Sequence, residues 1–232
     1  MKNRVSNGVF GKIVRTLGFI LLLASSLIIV SELVLANTSY SIIAFAEPYA
    51  QMVSNIISQL GFPVYEYAFL GLIVGLLFLV WALRKGLILR LLISVLLVFV
   101  YAQAIANSTS LFAGAVLTAP AFINDSLGYV ASYIDQAINA SVYVQPGAVL
   151  ALVFLLWALF ANKKPKRFSV TLLRVGSIFL LLAVIAAGVP AFVAMSFFAS
   201  ATYLMITLIL YLIAYVFFIA GSVFGVLGFG RS

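Results

Sequence analysis

The chain has neither cysteine nor histidine. Without thiols there is no disulfide and no cysteine nucleophile, and without imidazole the commonest general base and the usual protein ligand of haem, copper and zinc are missing. Acids are scarce as well: Glu32, Glu47, Glu66, Asp125 and Asp135 are the five in 232 residues. No Gly-rich phosphate loop, no neighbouring carboxylate pair and no metal-ligating spacing occurs, so the chain is read as not an enzyme and as carrying no cofactor. Charged residues make up 8% of the sequence against 66% hydrophobic, and the mean hydropathy is +1.27. A water-soluble fold would have far more apolar surface than it could bury, which makes this a polytopic membrane protein whose fold is an all-α helix bundle.

What is present is cation, and it is placed with care. A net charge of +8 in a soluble protein would suggest nucleic acid, but the positions say more than the sum. Lys and Arg fall at Lys2, Arg4, Lys12 and Arg15; at Arg84, Lys85 and Arg90; at Lys163, Lys164, Lys166, Arg167 and Arg174; and at Arg231. The acids lie in or beside the stretches between, and the two signs never mix. Two stretches repeat one pattern: Leu77-Phe78-Leu79-Val80-Trp81-Ala82-Leu83 runs into Arg84-Lys85, and Val153-Phe154-Leu155-Leu156-Trp157-Ala158-Leu159 runs into Lys163-Lys164-Pro165-Lys166-Arg167. Indole favours the headgroup layer and basic residues resist translocation, so both are cytoplasmic ends of spans in the cell membrane, and both termini are cytoplasmic.

Apolar runs at about 1.5 Å per residue that cross a core of about 30 Å then predict six transmembrane helices. They are residues 17–36, 65–83, 91–106, 146–160 extended backwards by 142–145, 170–188, and 203–221 or beyond. Residues 1–36 also fit a cleaved signal peptide with Val34-Leu35-Ala36 as its small-residue site; the length of the apolar run favours a retained helix. Outside, Ile42, Phe45, Tyr49, Val53, Ile56 and Leu60 recur at helical spacing opposite Glu47, Gln51, Asn55 and Ser58, and Pro48 suits a first turn. This predicts an amphipathic helix over 48–60 that lies flat on the outer leaflet or caps the bundle. A second one follows from Ile123, Leu127, Val130, Ile134 and Ile138 opposite Ser132, Asp135, Gln136 and Asn139, with Asn124 or Asp125 as N-cap. Residues 189–201 are expected as a short helix dipping at the outer interface. Gly71-xxx-Gly75 offers a close helix contact. The whole is one transmembrane domain, 1–232, in three hairpin repeats of about 15–85, 90–161 and 174–229, which suits either a pseudo-symmetric transporter-like bundle or an ordinary set of hairpins obeying the charge rule.

Few residues offer chemistry. Glu32 is read as the one ionisable residue inside a span, about a turn from its outer end, either a functional acid or one that snorkels to water. Tyr203, Thr207, Tyr211 and Tyr215, four apart, are expected to stack their hydroxyls on one helix face, lining a polar path or packing between helices. Asn37, Asn107, Asn124 and Asn139 head the Asn-x-Ser/Thr sequons, all predicted outside, where glycosylation has access. That one-sidedness fits an archaeal or eukaryotic cell surface. The basic loop 163–174 can meet anionic lipid headgroups, a cytoplasmic ATPase or a nucleic-acid backbone, or serve as a topology signal alone.

So little embedded polar chemistry points to a subunit that forms a passage or scaffold together with other membrane subunits. In its length, sparse buried charge, outer amphipathic segments and Cys-free, His-free, Ala/Leu/Ile/Val-rich usage the chain resembles the polytopic subunit of the crenarchaeal DNA-import system (CedA), a family similar to the channel subunit of bacterial type IV secretion. The resemblance covers the whole chain in architecture and no specific motif; residues 77–90 and 153–167 are anchors that many families share, and no family residue carries over. It implies a DNA-translocating membrane pore with small membrane partners, a cytoplasmic ATPase and DNA. The rival readings are a small-molecule or ion transporter built on Glu32 and the Tyr203–Tyr215 stripe, and a structural subunit of a respiratory or surface assembly.

Overall fold

The computed structural model describes residues 9–61, 64–83, 86–106, 125, 168–188 and 201–228. All regular structure among them is α-helical: α1 (Val9–Ala36), α2 (Ser41–Ala44), α3 (Glu47–Ser58), α4 (Val64–Leu83), α5 (Leu87–Ala106), α6 (Phe168–Gly188) and α7 (Ala201–Leu227). The fold is therefore all-α. Three segments are long and apolar enough to cross a membrane, Phe10–Ala36, Phe168–Ala187 and Ala201–Leu227; α4 and α5 carry shorter apolar stretches, Tyr67–Leu83 and Leu87–Phe99. The expected second amphipathic helix, the fourth span with Trp157, the basic loop 163–167 and the segment 189–200 lie outside the described residues.

α1 is the hub, packing against α4, α7 and α3, while α6 packs on α7 and α5 on α4. The α1–α4 crossing is made by small residues. A Cβ on Gly75 would stand 3.0 Å from the Leu22 backbone nitrogen and 3.1 Å from the Gly18 carbonyl oxygen, so the two backbones touch there as the Gly71-xxx-Gly75 spacing predicts. α6 and α7 meet the same way, Gly176 lying against Ala214 and Phe218, and Gly221 against Ser169 and Leu173. Both pairs run antiparallel. Phe19 of α1 fills the space beside Gly225 of α7, which joins the two pairs. Leu22, Ile29 and Leu33 of α1, Leu72 and Leu76 of α4, and Tyr215 and Phe218 of α7 are the buried centre.

α4 turns into α5 through a three-residue connection ending at Gly86, whose φ of +98° only glycine adopts without strain. Across it the Trp81 indole nitrogen donates to Ser94 Oγ at 3.2 Å, and the Arg90 guanidinium sits 5.6 Å from the Trp81 ring centre. Ser94 Oγ donates in turn to the Arg90 carbonyl at 2.8 Å. Farther out, Phe69 and Tyr101 pack ring to ring at 5.2 Å, so this hairpin is antiparallel too.

These contacts put the start of α1, the end of α4, the start of α5, the start of α6 and the end of α7 at one end of the bundle. Lys12, Arg15, Arg90 and Arg174 are all at or near that end, and Glu32 and Glu47 are toward the other. Two expectations need correction. α1 begins well before residue 17 and carries Lys12 and Arg15 within it, because neither charge interrupts helical propensity. Glu32 is also not alone within a span: the expected spans 65–83 and 170–188 themselves contain Glu66 and Arg174, and with α6 beginning at Phe168 Arg174 lies about 9 Å along its helix.

α3 starts with Pro48 in its first turn and Glu47 accepting from Gln51 Nε2 at 2.8 Å. Its apolar residues split into two sectors. Ala50 and Ile57 are buried in the bundle, whereas Tyr49, Met52 and Ile56 are exposed, in line with Phe45 and Leu60 at its ends. Gln51, Asn55 and Ser58 occupy a third, polar sector.

Candidate functional site

α7 presents the tyrosine stripe, but not as one line. A step of four residues advances about 40° around an α-helix, so the three steps from Tyr203 to Tyr215 turn through about 120°. Tyr203 accordingly reaches α6, its hydroxyl donating to the Ala186 carbonyl oxygen at 2.6 Å. Thr207 Oγ1 bonds back to the Tyr203 carbonyl at 3.1 Å, the local partner that a hydroxyl in an apolar helix commonly takes. Tyr211 and Tyr215 are 3% and 0% exposed, and the Tyr215 ring packs edge-on against Phe218 at 5.8 Å. Among the described residues these four groups are buried or bonded within the helices, an arrangement that serves packing.

Glu32 sits half-buried on α1 without a hydrogen-bond or ion-pair partner among the described residues. Its direction matters. Cα–Cβ bonds on a helix tilt toward the helix N-terminus, and α1 starts at the basic end, so the tilt at Glu32 is away from the nearer end of the bundle. That tilt works against snorkelling toward the nearer end. Arg15, Arg90 and Arg174 stand on helices that also start at the basic end, and the same tilt carries them toward it. Among the described residues every Lys or Arg (Lys12, Arg15, Arg90 and Arg174) is at or near the basic end, so none of them stands in the half of the bundle that holds Glu32.

Asn37 follows α1 directly. Its side-chain amide donates to the Leu33 carbonyl oxygen at 2.8 Å and its backbone N–H to Val34, which closes the helix end. The nitrogen that would carry a glycan is thus the one holding the cap. Asn107, Asn124 and Asn139 lie outside the described residues, as does their setting. Among the described residues no cluster of acids could hold a metal ion.

Arg174 and the Trp81–Arg90–Ser94 corner are the features a reading of spans alone passes over. Arg174 was legible from the basic cluster 163–167: a helix that begins directly after it puts residue 174 almost two turns inside. Its Nε is buried and the residue is half-buried. Comparison of the chain with protein families, with curated proteins and with solved structures finds no match.

Proposed function

We propose that the chain is a polytopic subunit of a multiprotein membrane complex, in which its six helices form three hairpins with both termini on the basic, cytoplasmic side and act as scaffold or as part of a passage between subunits. The observation that carries this is the use of the Tyr203–Tyr215 hydroxyls and rings inside the helix seams, with Tyr211 and Tyr215 enclosed. Hydroxyls engaged in the chain's own packing are not free to select a solute. The antiparallel pairs α1–α4 and α6–α7, each closed at glycine, agree with the hairpin plan. Following the resemblance noted above, DNA import with a cytoplasmic ATPase is the form of this role we favour. It predicts that gentle extraction and crosslinking recover the chain with an ATPase, and that its deletion abolishes DNA uptake; recovery with cytochromes would assign it to a respiratory assembly instead.

A second reading is favoured by Glu32 alone. A half-buried acid with no Lys or Arg in its half of the bundle among the described residues is the type of group a coupled transporter uses. Glu32→Gln separates the two: loss of solute uptake with the complex intact supports the transporter, and unchanged behaviour on both counts supports the scaffold.

A further inference from the structure

The helix seams are not built alike. At α1–α4 and α6–α7 the backbones themselves meet: a Cβ on Gly75 would stand 3.1 Å from the Gly18 carbonyl oxygen, and one on Gly176 would stand 2.9 Å from the Ala214 carbonyl oxygen. At α1–α7 a side chain stands between the helices, the Phe19 ring lying 2.6 Å from where a Cβ on Gly225 would be. Among the described residues this seam is also the main junction between the tight α1–α4 pair and the tight α6–α7 pair.

Two hydroxyls are enclosed in it. Ser26 lies two turns beyond Phe19 and about 20° from its line, and about 80–100° around α1 from Gly18 and Ser25, which meet α4. Ser222 continues the buried line Tyr215, Phe218 on α7, about 80–100° around the helix from Ala214 and Gly221, which meet α6. Both serines are fully buried, and neither Oγ has a hydrogen-bond partner among the described residues. With Phe19 beside Gly225 in an antiparallel pair, Ser26 comes level with Phe218 and so stands about 6 Å along the seam from Ser222. Ser177, buried on α6, shows the usual alternative, its Oγ donating to the Leu173 carbonyl oxygen at 2.7 Å.

We propose that the α1–α7 seam is the moving joint of the molecule, at which the α1–α4 and α6–α7 pairs part to admit water to Ser26 and Ser222. This rests on the reading of these helices as membrane helices and not on any choice of partner or substrate. Seams closed at glycine resist separation, because each backbone lies against its neighbour along the contact. A seam spaced by a ring has less contact to lose on parting, and its two unsatisfied hydroxyls gain hydrogen bonds from the water that enters. Opening therefore concentrates here.

The absence of cysteine makes each introduced thiol the single reactive group. In vesicles, Ser26→Cys and Ser222→Cys are expected to react with a charged methanethiosulfonate reagent several-fold faster than Ser177→Cys. They should likewise outpace Leu27→Cys, which is exposed on the outside of α1 and reports access through lipid. Rates at both seam positions as slow as at Ser177→Cys overturn the proposal. Ser26→Ala should slow the labelling of Ser222→Cys several-fold, because it removes one of the two groups that favour the open seam; an unchanged or faster rate would assign the hydroxyl to packing alone and overturn the joint. Hydroxyl-radical footprinting of the unsubstituted protein needs no mutation. Phe218, buried in the seam, is expected to be oxidised several-fold more than its neighbour Phe217, which stacks on Phe179 of α6, and equal oxidation overturns the proposal. Failure to float with the vesicles would refute the membrane reading instead, a result distinct from the others.

Discussion

Gly75 and Gly71 sit one turn apart on α4, yet each would receive a methyl group differently. At Gly75 the new carbon meets backbone atoms of Leu22 and Gly18, which cannot move without parting the helices. At Gly71 it meets Ser25 Oγ at 2.5 Å, the tip of a side chain that can rotate or be removed. Gly75→Ala is therefore expected to destabilise by about 1–3 kcal/mol, the usual range for overpacking. Gly71→Ala should cost less, and Ser25→Ala should relieve Gly71→Ala but leave Gly75→Ala unrelieved. Thermal unfolding of the four variants in one detergent checks this; equal losses at the two glycines would contradict it. The Tyr203 hydroxyl supplies a second case: Tyr203→Phe removes one α7–α6 hydrogen bond and should cost about 1 kcal/mol in the same assay, with no larger effect because embedded hydrogen bonds are individually modest. The glycine spacing on α4 could be read in advance, but its counterparts Gly18 and Ser25 could not, since nothing in a linear pattern says which turn of α1 will face it.

Helix periodicity located α3 and failed to say how its apolar residues would be divided. The helix is bounded as its pattern predicts, by Pro48 at the start and polar residues at the end. Its apolar arc is wide enough to serve two surroundings, and tertiary packing assigns Ala50 and Ile57 to the bundle and leaves Tyr49, Met52 and Ile56 facing out. Three sectors facing protein, apolar surroundings and water are what a helix at a membrane interface requires. The chain contains no cysteine, so each introduced one is a unique label. In vesicles, Gln51→Cys should react rapidly with a membrane-impermeant maleimide and Ile56→Cys slowly, with the gap closing in denaturant. Equal rates in intact vesicles would remove α3 from the interface. The same limit on periodicity explains the tyrosines: spacing by four suggests one face, but 3.6 residues per turn spreads the group through about 120° around the helix.

Across the bundle, the segregation of charge has a geometric companion. Every described Lys or Arg is on a helix that begins at the basic end, so the backward tilt of its side chain carries it toward that end. An impermeant maleimide applied to intact cells should therefore modify Gln51→Cys and spare Lys164→Cys until the membrane is opened. Modification of Lys164→Cys from outside would reverse the orientation and, with it, the proposed cytoplasmic partner.

Hydrophobic content, charge alternation and the length of apolar runs were sufficient for an all-α membrane protein and for the places where several of its helices lie, because the bilayer forces backbone hydrogen bonds to close within each segment. Those constraints act on one helix at a time. Neighbours are another matter: that α1 is the hub, that Tyr203 bonds to Ala186 while Tyr215 is enclosed, and that Arg90 faces Trp81 all depend on which helix faces meet. In a membrane every apolar face is tolerated by lipid, so hydrophobicity cannot choose among them, and close fit at small residues makes the choice.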